Sequence, residues 1–565
     1  MDQEPYREEG PPRRRLLFLL LAAGLLLRLA LAWAPFSYLA ARGPLIDDAF
    51  YSFGIARNLA LGHGPTADGI HPTSGFQPLY TFLLVPFYLL FPRDPILPIH
   101  LGLTVLAVAG AATGWFLFRI VSRIASRPAA LFSLTLWTFA PYFLTQGLNG
   151  LETGLFGLGL AVTLDWYLGR IRQEASRRDL LVFGLLMGLT LLARVDGALF
   201  AAALALDFLL RRGNGILTRI RQGAAAAAGA LAILTPYLAF LLVRFGVLMP
   251  ESGGAVRFLS LCYGTLFVLG PRAAFYFPPE QVPDIYYAGS LRKAVQVLLG
   301  EPLLFPSSLV LYPATIAKLF TPRTAFLVLA GGLALLANFL LLFRAASPAK
   351  EAHRGFTRVT LACAALWVPA YAFGVLGQWW FDRYFFALFL FMTMASGPLL
   401  DHLGSSGLLI RVPPARLAAT AASLHLLLFA FQIPEQFLQH KPYRNVLSYI
   451  EAARALDRAL PAGARGGAFQ SGTIGYFARH PVVNLDGVVN RDATAALRQA
   501  RMTEYIRAEK IEAIIDWPLW IEALLVRRSP AGEGRNLGPA QNAGQFLLIR
   551  VSPTMGLALG PSPRP

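Results

Sequence analysis

Cysteine is nearly missing from this chain of 565 residues: there are two, Cys262 and Cys363. Cys363 falls inside an apolar run and Cys262 outside one, which argues against a structural disulfide and against a cysteine-built metal site. Charge is scarce as well. Charged residues are 15% of the chain against 55% hydrophobic, and mean hydropathy is +0.52, a composition outside the range of soluble globular domains. Acids are the scarcer sign, 32 against 50 Lys and Arg, which leaves a net charge of +18. In a soluble chain that excess would suit nucleic acid. In one this apolar it reads as loops held against an anionic leaflet, and no nucleic-acid partner is expected. No internal repeat is evident, nor a pair of broken helices near a membrane midplane, and both weigh against a transporter.

What the sequence has in quantity is long apolar runs. Segments at roughly 16–36, 96–118, 129–147, 151–169, 180–193, 196–210, 223–247, 323–343, 358–377, 384–400 and 416–433 read as about eleven spans of a multi-pass membrane protein. The first follows Arg13, Arg14 and Arg15 and is too long for a signal-peptide core, so it reads as an uncleaved anchor. Residues 76–91 are short and carry Pro78 and Pro86, and are expected to form an interfacial or re-entrant helix. Arginines then fall in every second loop: Arg119, Arg123 and Arg127; Arg170, Arg172, Arg177 and Arg178; Arg211, Arg212, Arg219 and Arg221; Arg344, Lys350, Arg354 and Arg358; Arg411. That alternation predicts a cytoplasmic membrane protein with its N-terminus inside and its C-terminus outside.

The same topology gathers DDAF (47–50), NGLETG (149–154), RVDG (194–197), MPESGG (249–254) and WFDRY (380–384) at the outer face. Charged groups at the edge of the hydrocarbon need partners or a wet cavity, so a polar site is expected there. Beyond residue 434 the apolar runs stop. A helical pattern over 443–460 and strand-like runs at 466–469, 481–485, 511–516 and 545–551 predict a small α/β extracytoplasmic domain. The expected organisation is a membrane domain over 1–433, the α/β domain over 434–551 and a proline- and glycine-rich, disordered tail over 552–565.

Asp47 and Asp48 stand together just after the first span. The spacing predicts a helix over 48–61 capped by Asp47, stapled by Ile46 and Tyr51, and laid along the membrane surface by a stripe of Phe50, Phe53, Ala56 and Ala60. A cap needs one acid, not two, which leaves room for a function. Other candidates each have a plainer reading. Glu152 opens a span and suits a helix dipole, Arg194 and Asp196 suit an interfacial ion pair, Arg383 can snorkel, and Arg57 can face headgroups. His63 and His71 have no third ligand spaced to complete a metal site. Arg28, deep in the first span, calls for a partner. Tyr476, Asp486 and Asn490 read as structural or acceptor-related.

Taken in order, DDAFYSFGIARNLALGHG (47–64), PTSGFQPLY (72–80), GLETGLF (150–156), ARVDG (193–197), QWWFDRYFFALFLF (378–391) and SGTIGYFARHPVVNLDGVVNRD (471–492) resemble the bacterial GT-C glycosyltransferases. The similarity is to the terminal arabinofuranosyltransferase and dolichyl-phosphate-mannose-protein mannosyltransferase-like groups. The resemblance implies a GT-C-like fold with juxtamembrane helices in the first outer loop. It further implies inverting transfer of a sugar from a polyprenyl-phosphate donor to an extracytoplasmic glycan, lipid or protein. By position in the motif Asp47 would be the general base and Asp48 its partner, with a divalent cation beside them as a candidate. Arg57, His71, Glu152, Arg194, Asp196, Arg383 and Tyr384 would contact substrate. The chemistry is consistent: a phosphate leaving group is already a stable anion, so one carboxylate base and cations for the phosphate suffice. RVDG and MPESGG depart from the RPEG and LPNT of relatives, which leaves the sugar open. A transporter or a non-catalytic membrane scaffold remains the alternative.

Overall fold

A computed structural model of the chain describes residues 11–173, 175–211, 215–259, 351–371, 382–405, 412–438, 446–526 and 540–551. The expected span over 323–343, Cys262, the WF of WFDRY and the tail over 552–565 lie outside them. The membrane part is built from α1 (Pro11–Ala32), α2 (Phe36–Ala41), α3 (Ala49–Ala60), α4 (Pro78–Leu90), α5 (Leu97–Ile124), α6 (Arg127–Phe139) and α7 (Pro141–Gly147). It continues with α8 (Thr153–Trp166), α9 (Arg177–Ala193), α10 (Gly197–Leu209), α11 (Ile216–Phe245), α12 (Glu351–Pro369), α13 (Phe386–Ser405) and α14 (Pro414–Ile433).

Among the described residues five helical stretches are long and apolar enough to cross a membrane: Arg14–Ala32, Leu97–Ile124, Leu217–Phe245, Arg383–Ser405 and Pro414–Leu438. Large apolar side chains such as Phe18, Leu19, Leu26, Val243 and Phe431 point outward from them, a surface that a bilayer would cover. Helix α4 is 13 residues long, about 20 Å at the helical rise, the same length as α6 and α10, which were expected to be spans. The run over 129–147 is two helices, because Pro141 has no N–H to donate and holds Ala140 extended (φ −74, ψ 121) between α6 and α7. Helix α9 packs closely on α11 through Gly184 and Gly229. A Cβ on Gly184 would collide with the Ala226 carbonyl, and one on Gly229 with the Leu181 carbonyl.

Several buried charged groups of the bundle have partners. Arg28 donates to the carbonyls of Gly24 (3.0 Å) and Trp137 (3.2 Å) and lies over the Trp137 ring. The basic loops are only partly the headgroup-facing surface expected. Asp165 pairs with Arg119 and Arg123, both at 3.1 Å, and buried Asp207 pairs with Arg172 and, at 3.6 Å, with Arg358. Glu152 and Asp196 stand at the starts of α8 and α10, Asp165 and Asp207 near their ends. The arginine clamps therefore lie at one end of the bundle and the acids of the outer motifs at the other.

A C-terminal α/β unit follows: α15 (Val446–Ala459), β1 (Arg465–Ala468), α16 (Ser471–Phe477), β2 (Val482–Asn484), α17 (Arg491–Arg498), α18 (Met502–Ala508), β3 (Ile511–Asp516), β4 (Ala540–Ala543) and β5 (Phe546–Arg550). The sheet order is β2-β1-β3-β5-β4, with β1 parallel to β2 and β3, and β5 antiparallel to β3 and β4. Strand alternation sends Val483 and Ile514 to one face, against Leu497 and Ile506, and Val482, Ala513 and Ile515 to the other, against Tyr449 and Leu456. Both faces are thereby covered.

This unit sits on α3. Phe50 packs against Tyr476 and Phe477 with ring centroids 5.4 and 5.5 Å away. A Cβ on Gly472 would strike the backbone oxygen of Asp47, and one on Gly75 that of Val488, so the two parts meet backbone to backbone. Helix α3 is consequently buried almost along its length. That corrects the surface-lying helix expected from its stripe, whose exposed side is covered by the C-terminal unit.

Candidate active site

The capped helix expected at Asp47 forms differently. Asp48, at the position before Ala49, has helical backbone (φ −59, ψ −25), and no side-chain cap bond is made there. A cap needs an extended residue whose oxygen can turn back onto the first N–H groups. Both carboxylates are therefore free to point away from α3, and they go to opposite partners. Asp47 Oδ1 accepts the Thr473 N–H at 2.7 Å, in the first turn of α16. Burial, and then the charge of Asp48, hold the Asp47 carboxyl well above the usual carboxylate range, with the Thr473 bonds opposing. Asp48 Oδ2 accepts from Arg383 Nη2 at 2.5 Å. Arg383 is carried by the short 3-10 turn Asp382–Phe385 that leads into α13, and its guanidinium lies 5.2 Å from the Tyr384 ring centroid.

Next to this pair is a second, more deeply buried group. Arg194 forms a two-pronged pair with Asp196, Nε to Oδ1 at 3.0 Å and Nη2 to Oδ2 at 2.8 Å, and reaches Glu152 Oε1 with Nη1 at 3.1 Å. The Tyr371 hydroxyl donates to Asp196. Planar, two-bond pairing of this kind fixes a guanidinium in orientation as well as charge. Arg194 also faces the rings of Phe156 and Tyr384.

Asp48, Glu152, Arg194, Arg383 and Tyr384 line one wall of a cavity of about 200 Å³, together with Tyr51. Ser252, Val256 and Leu259, which follow α11, close one side, and Gln470, Asp486, Val488 and Trp520 of the C-terminal unit form the facing wall. The space is smaller than the ~300–1,000 Å³ pockets that enclose drug-sized ligands and is open on one side, so a larger substrate would lie only partly inside it. Asp486 is buried, its Oδ1 accepting the Val488 N–H at 2.9 Å. Burial, with Asp48 and Asp516 nearby, pushes its carboxyl up to about 7.

Of the residues singled out from sequence, Asp48, Glu152, Arg194, Arg383 and Tyr384 come together on this wall. Asp196 stands behind it, holding Arg194. Asp47, Arg57 and His71 belong to the seam with the C-terminal unit. Arg57 donates to the Tyr476 carbonyl at 2.9 Å and lies 4.4 Å from the centroid of that ring, not toward headgroups. His71 bridges Asp68 (2.6 Å) and Glu509 (3.2 Å). The carboxylates do not fit the candidate cation: Asp47 and Asp48 diverge onto Thr473 and Arg383. No cluster of three or more His, Cys, Asp or Glu that could hold a metal ion occurs among the described residues. Gln470 and Trp520 were not singled out from sequence. Their signal was positional, since each follows a run that reads as a strand.

Comparison with known proteins bears on this geometry. The dolichyl-phosphate-mannose-protein mannosyltransferase family matches residues 71–240, and a domain family of unknown function matches residues 435–543. No curated protein matches the chain. Among solved structures the fold is similar to that of ArnT from Cupriavidus metallidurans, with 13% sequence identity and a TM-score of 0.58, over 95% of this chain and 98% of that one. The same protein bound to undecaprenyl phosphate superposes as well, at 13% identity and a TM-score of 0.58, over 96% of this chain and 99% of that one. Oligosaccharyltransferase AglB from Archaeoglobus fulgidus, in complex with an inhibitory peptide and a dolichol-phosphate, is similar at 14% identity, TM-score 0.50, over 97% of this chain and 76% of that one. Over residues 71–240 the chain is similar to that mannosyltransferase family, and its fold is similar to those of ArnT and AglB. With its long apolar helices it is a multi-pass helical membrane protein, and its first-loop acids sit where the helical bundle meets the C-terminal unit.

Proposed function

We propose that this protein is a membrane glycosyltransferase of the GT-C type that moves a sugar from a polyprenyl-phosphate donor to a hydroxyl of an acceptor outside the cytoplasm, with inversion. The observation that carries the reading is the Asp48–Arg383 pair on the wall of a cavity at the membrane end of the C-terminal unit. The family matched over 71–240 and the undecaprenyl phosphate bound by the similar ArnT support the donor class.

Asp48 is the base in this reading and Asp47 is not, because only Asp48 lines the cavity. At rest Arg383 holds the Asp48 carboxylate. A donor phosphate entering the cavity competes for the guanidinium. Once Arg383 turns to the phosphate, Asp48 is released to accept the proton of the acceptor hydroxyl. The acceptor oxygen forms its bond to the anomeric carbon from one face, while the carbon–oxygen bond to phosphate breaks on the other. The electron pair leaves on the polyprenyl phosphate, which needs no proton and is held by Arg383, with Arg194 behind it. Glu152 and Asp196 keep Arg194 in place. The N-terminus lies in the cytoplasm, and the C-terminal unit outside.

Two measurements test this. Undecaprenyl phosphate titrated against the purified protein should raise its melting temperature, and mass spectrometry of copurified lipid should find a polyprenyl-phosphate sugar consumed on addition of envelope acceptor. No stabilisation by either undecaprenyl or dolichyl phosphate, with no lipid-linked sugar consumed, would sink the proposal.

A further inference from the structure

The wall of the cavity that faces Asp48 takes no part in holding a phosphate. It is the carboxyl edge of the C-terminal sheet. The chain leaves β1 toward β2 on one side and comes back to β3 on the other, so strand order reverses beside β1. In open α/β sheets small molecules bind at such a reversal, outside the carboxyl ends of the strands. Gln470 follows β1, Asp486 follows β2 and Trp520 follows β3, and all three line the cavity. Each is held in position. The Gln470 N–H donates to Asp516 Oδ2 at 2.8 Å and its side-chain oxygen accepts from the Tyr449 hydroxyl. Asp486 is fixed by the Val488 N–H, and the turn over it is made at Gly487, whose φ of +84 suits glycine.

We propose that this edge binds the acceptor, and that the acceptor is a carbohydrate whose ring hydroxyls meet Asp486 and Gln470 above Trp520. The proposal rests on the glycosyltransferase reading and narrows its acceptor from glycan, lipid or protein to glycan. Charge sets a glycan apart from an anionic lipid, and a carboxyl and an amide beside an indole, which suit several adjacent hydroxyls at once, set it apart from the single hydroxyl of a serine or threonine. Among the described residues this wall presents a carboxylate, an amide and apolar groups, while the cations lie opposite, on Arg194 and Arg383. A phospholipid headgroup or other anionic acceptor would find no cation on its own side of the cavity among the described residues, only the buried Asp486 carboxyl, an amide and apolar groups. A neutral ring with adjacent hydroxyls offers donors to the carboxylate and both donors and acceptors to the amide. A ring bound there places one hydroxyl toward Asp48 across the cavity.

The full-length protein in nanodiscs is tested against arrayed neutral oligosaccharides, with serine- and threonine-containing peptides and phosphatidylglycerol in parallel, and against undecaprenyl phosphate separately. Wild type should retain oligosaccharide. Asp486→Asn and Gln470→Ala should each weaken that retention by about tenfold or more, the loss of one or two hydrogen bonds, with undecaprenyl phosphate affinity unchanged. Two variants guard against one failing to fold, and the unchanged lipid affinity reports folding. Absence of oligosaccharide retention, retention indifferent to both variants, or retention of peptide or phosphatidylglycerol instead would overturn the proposal. Oligosaccharide retention without undecaprenyl phosphate binding by wild type would leave the carbohydrate edge standing and remove the transferase reading.

Discussion

Asp48 and Arg383 are 335 positions apart in sequence and 2.5 Å apart in space. Asp47, the immediate neighbour of Asp48, is instead bound to Thr473, 426 positions away. One acid therefore faces the cavity, and the other holds the C-terminal unit onto the segment between α2 and α3.

That division separates the two aspartates experimentally. Asp48→Asn keeps size and loses the ability to take a proton, so transfer from a lipid-linked donor should fall by about two to four orders of magnitude while donor binding persists. Asp47→Ala should act on stability, leaving the Thr473 N–H without its acceptor at a cost of about 1–3 kcal/mol. Turnover of the folded fraction should be nearly unchanged. Single-turnover transfer and thermal melting on the same preparations decide it. The reverse pattern would make Asp47 the base, as its motif position alone suggested.

Arg383 has two partners in the proposed cycle, the carboxylate at rest and the phosphate when loaded. Arg383→Ala should weaken undecaprenyl phosphate binding and cost on the order of a hundredfold or more in turnover. Arg383→Lys keeps the charge but not the planar fork, and should recover binding more than rate. A wild-type rate in Arg383→Ala would mean that the guanidinium serves only to neutralise Asp48.

The buried Asp486 gives a pH signature. Its carboxyl is pushed up to about 7 in the folded protein, mainly by burial, against about 3.9 in an unfolded chain. Below pH ~4 the group is protonated in both states and contributes no slope. As pH rises toward 7 the unfolded chain gives up the proton first. The folded state then binds more protons, and stability falls until the group is ionised in both states. Asp486→Asn removes this slope, so its melting temperature should gain on wild type between pH 4 and 7.5 by this route. Parallel melting curves for the two proteins across that range would exclude the effect.

Much of this arrangement was legible in the sequence, because apolar runs, loop arginines and outer-face motifs are local signals. The choice between Asp47 and Asp48 was not. Neighbouring residues at a helix start point about 100° apart, and only the fold says which direction is the cavity. Asp47 reads as a cap because an acid precedes an apolar helical run, and that pattern carries no information on the backbone angles of Asp48. Helix α3 reads as a surface helix because the Tyr476 and Phe477 rings that cover it come more than four hundred residues later. The clamps on Arg119, Arg123 and Arg172 were hidden for a related reason. Their partners Asp165 and Asp207 lie inside runs apolar enough to be read as spans, and sorting loops by arginine counts sees one side of each pair.

Those clamps also sharpen the test of orientation. They hold the basic ends of α5, α8 and α10 together, while the opposite ends of α8 and α10 meet the cavity and the C-terminal unit. The excess of loop arginine then predicts that the clamped end faces the cytoplasm. In a background carrying Cys262→Ser and Cys363→Ala, a cysteine at exposed Ala508 of the C-terminal unit should react with an impermeant thiol reagent in intact cells. One at exposed Gln173, beside the Arg172 clamp, should react only after permeabilisation. Both positions are surface residues, so protection would report the membrane and not burial in the fold. Labelling of Gln173→Cys in intact cells with Ala508→Cys protected would turn the molecule over. The cavity would then open to the cytoplasm, where an extracytoplasmic acceptor could not reach Asp48.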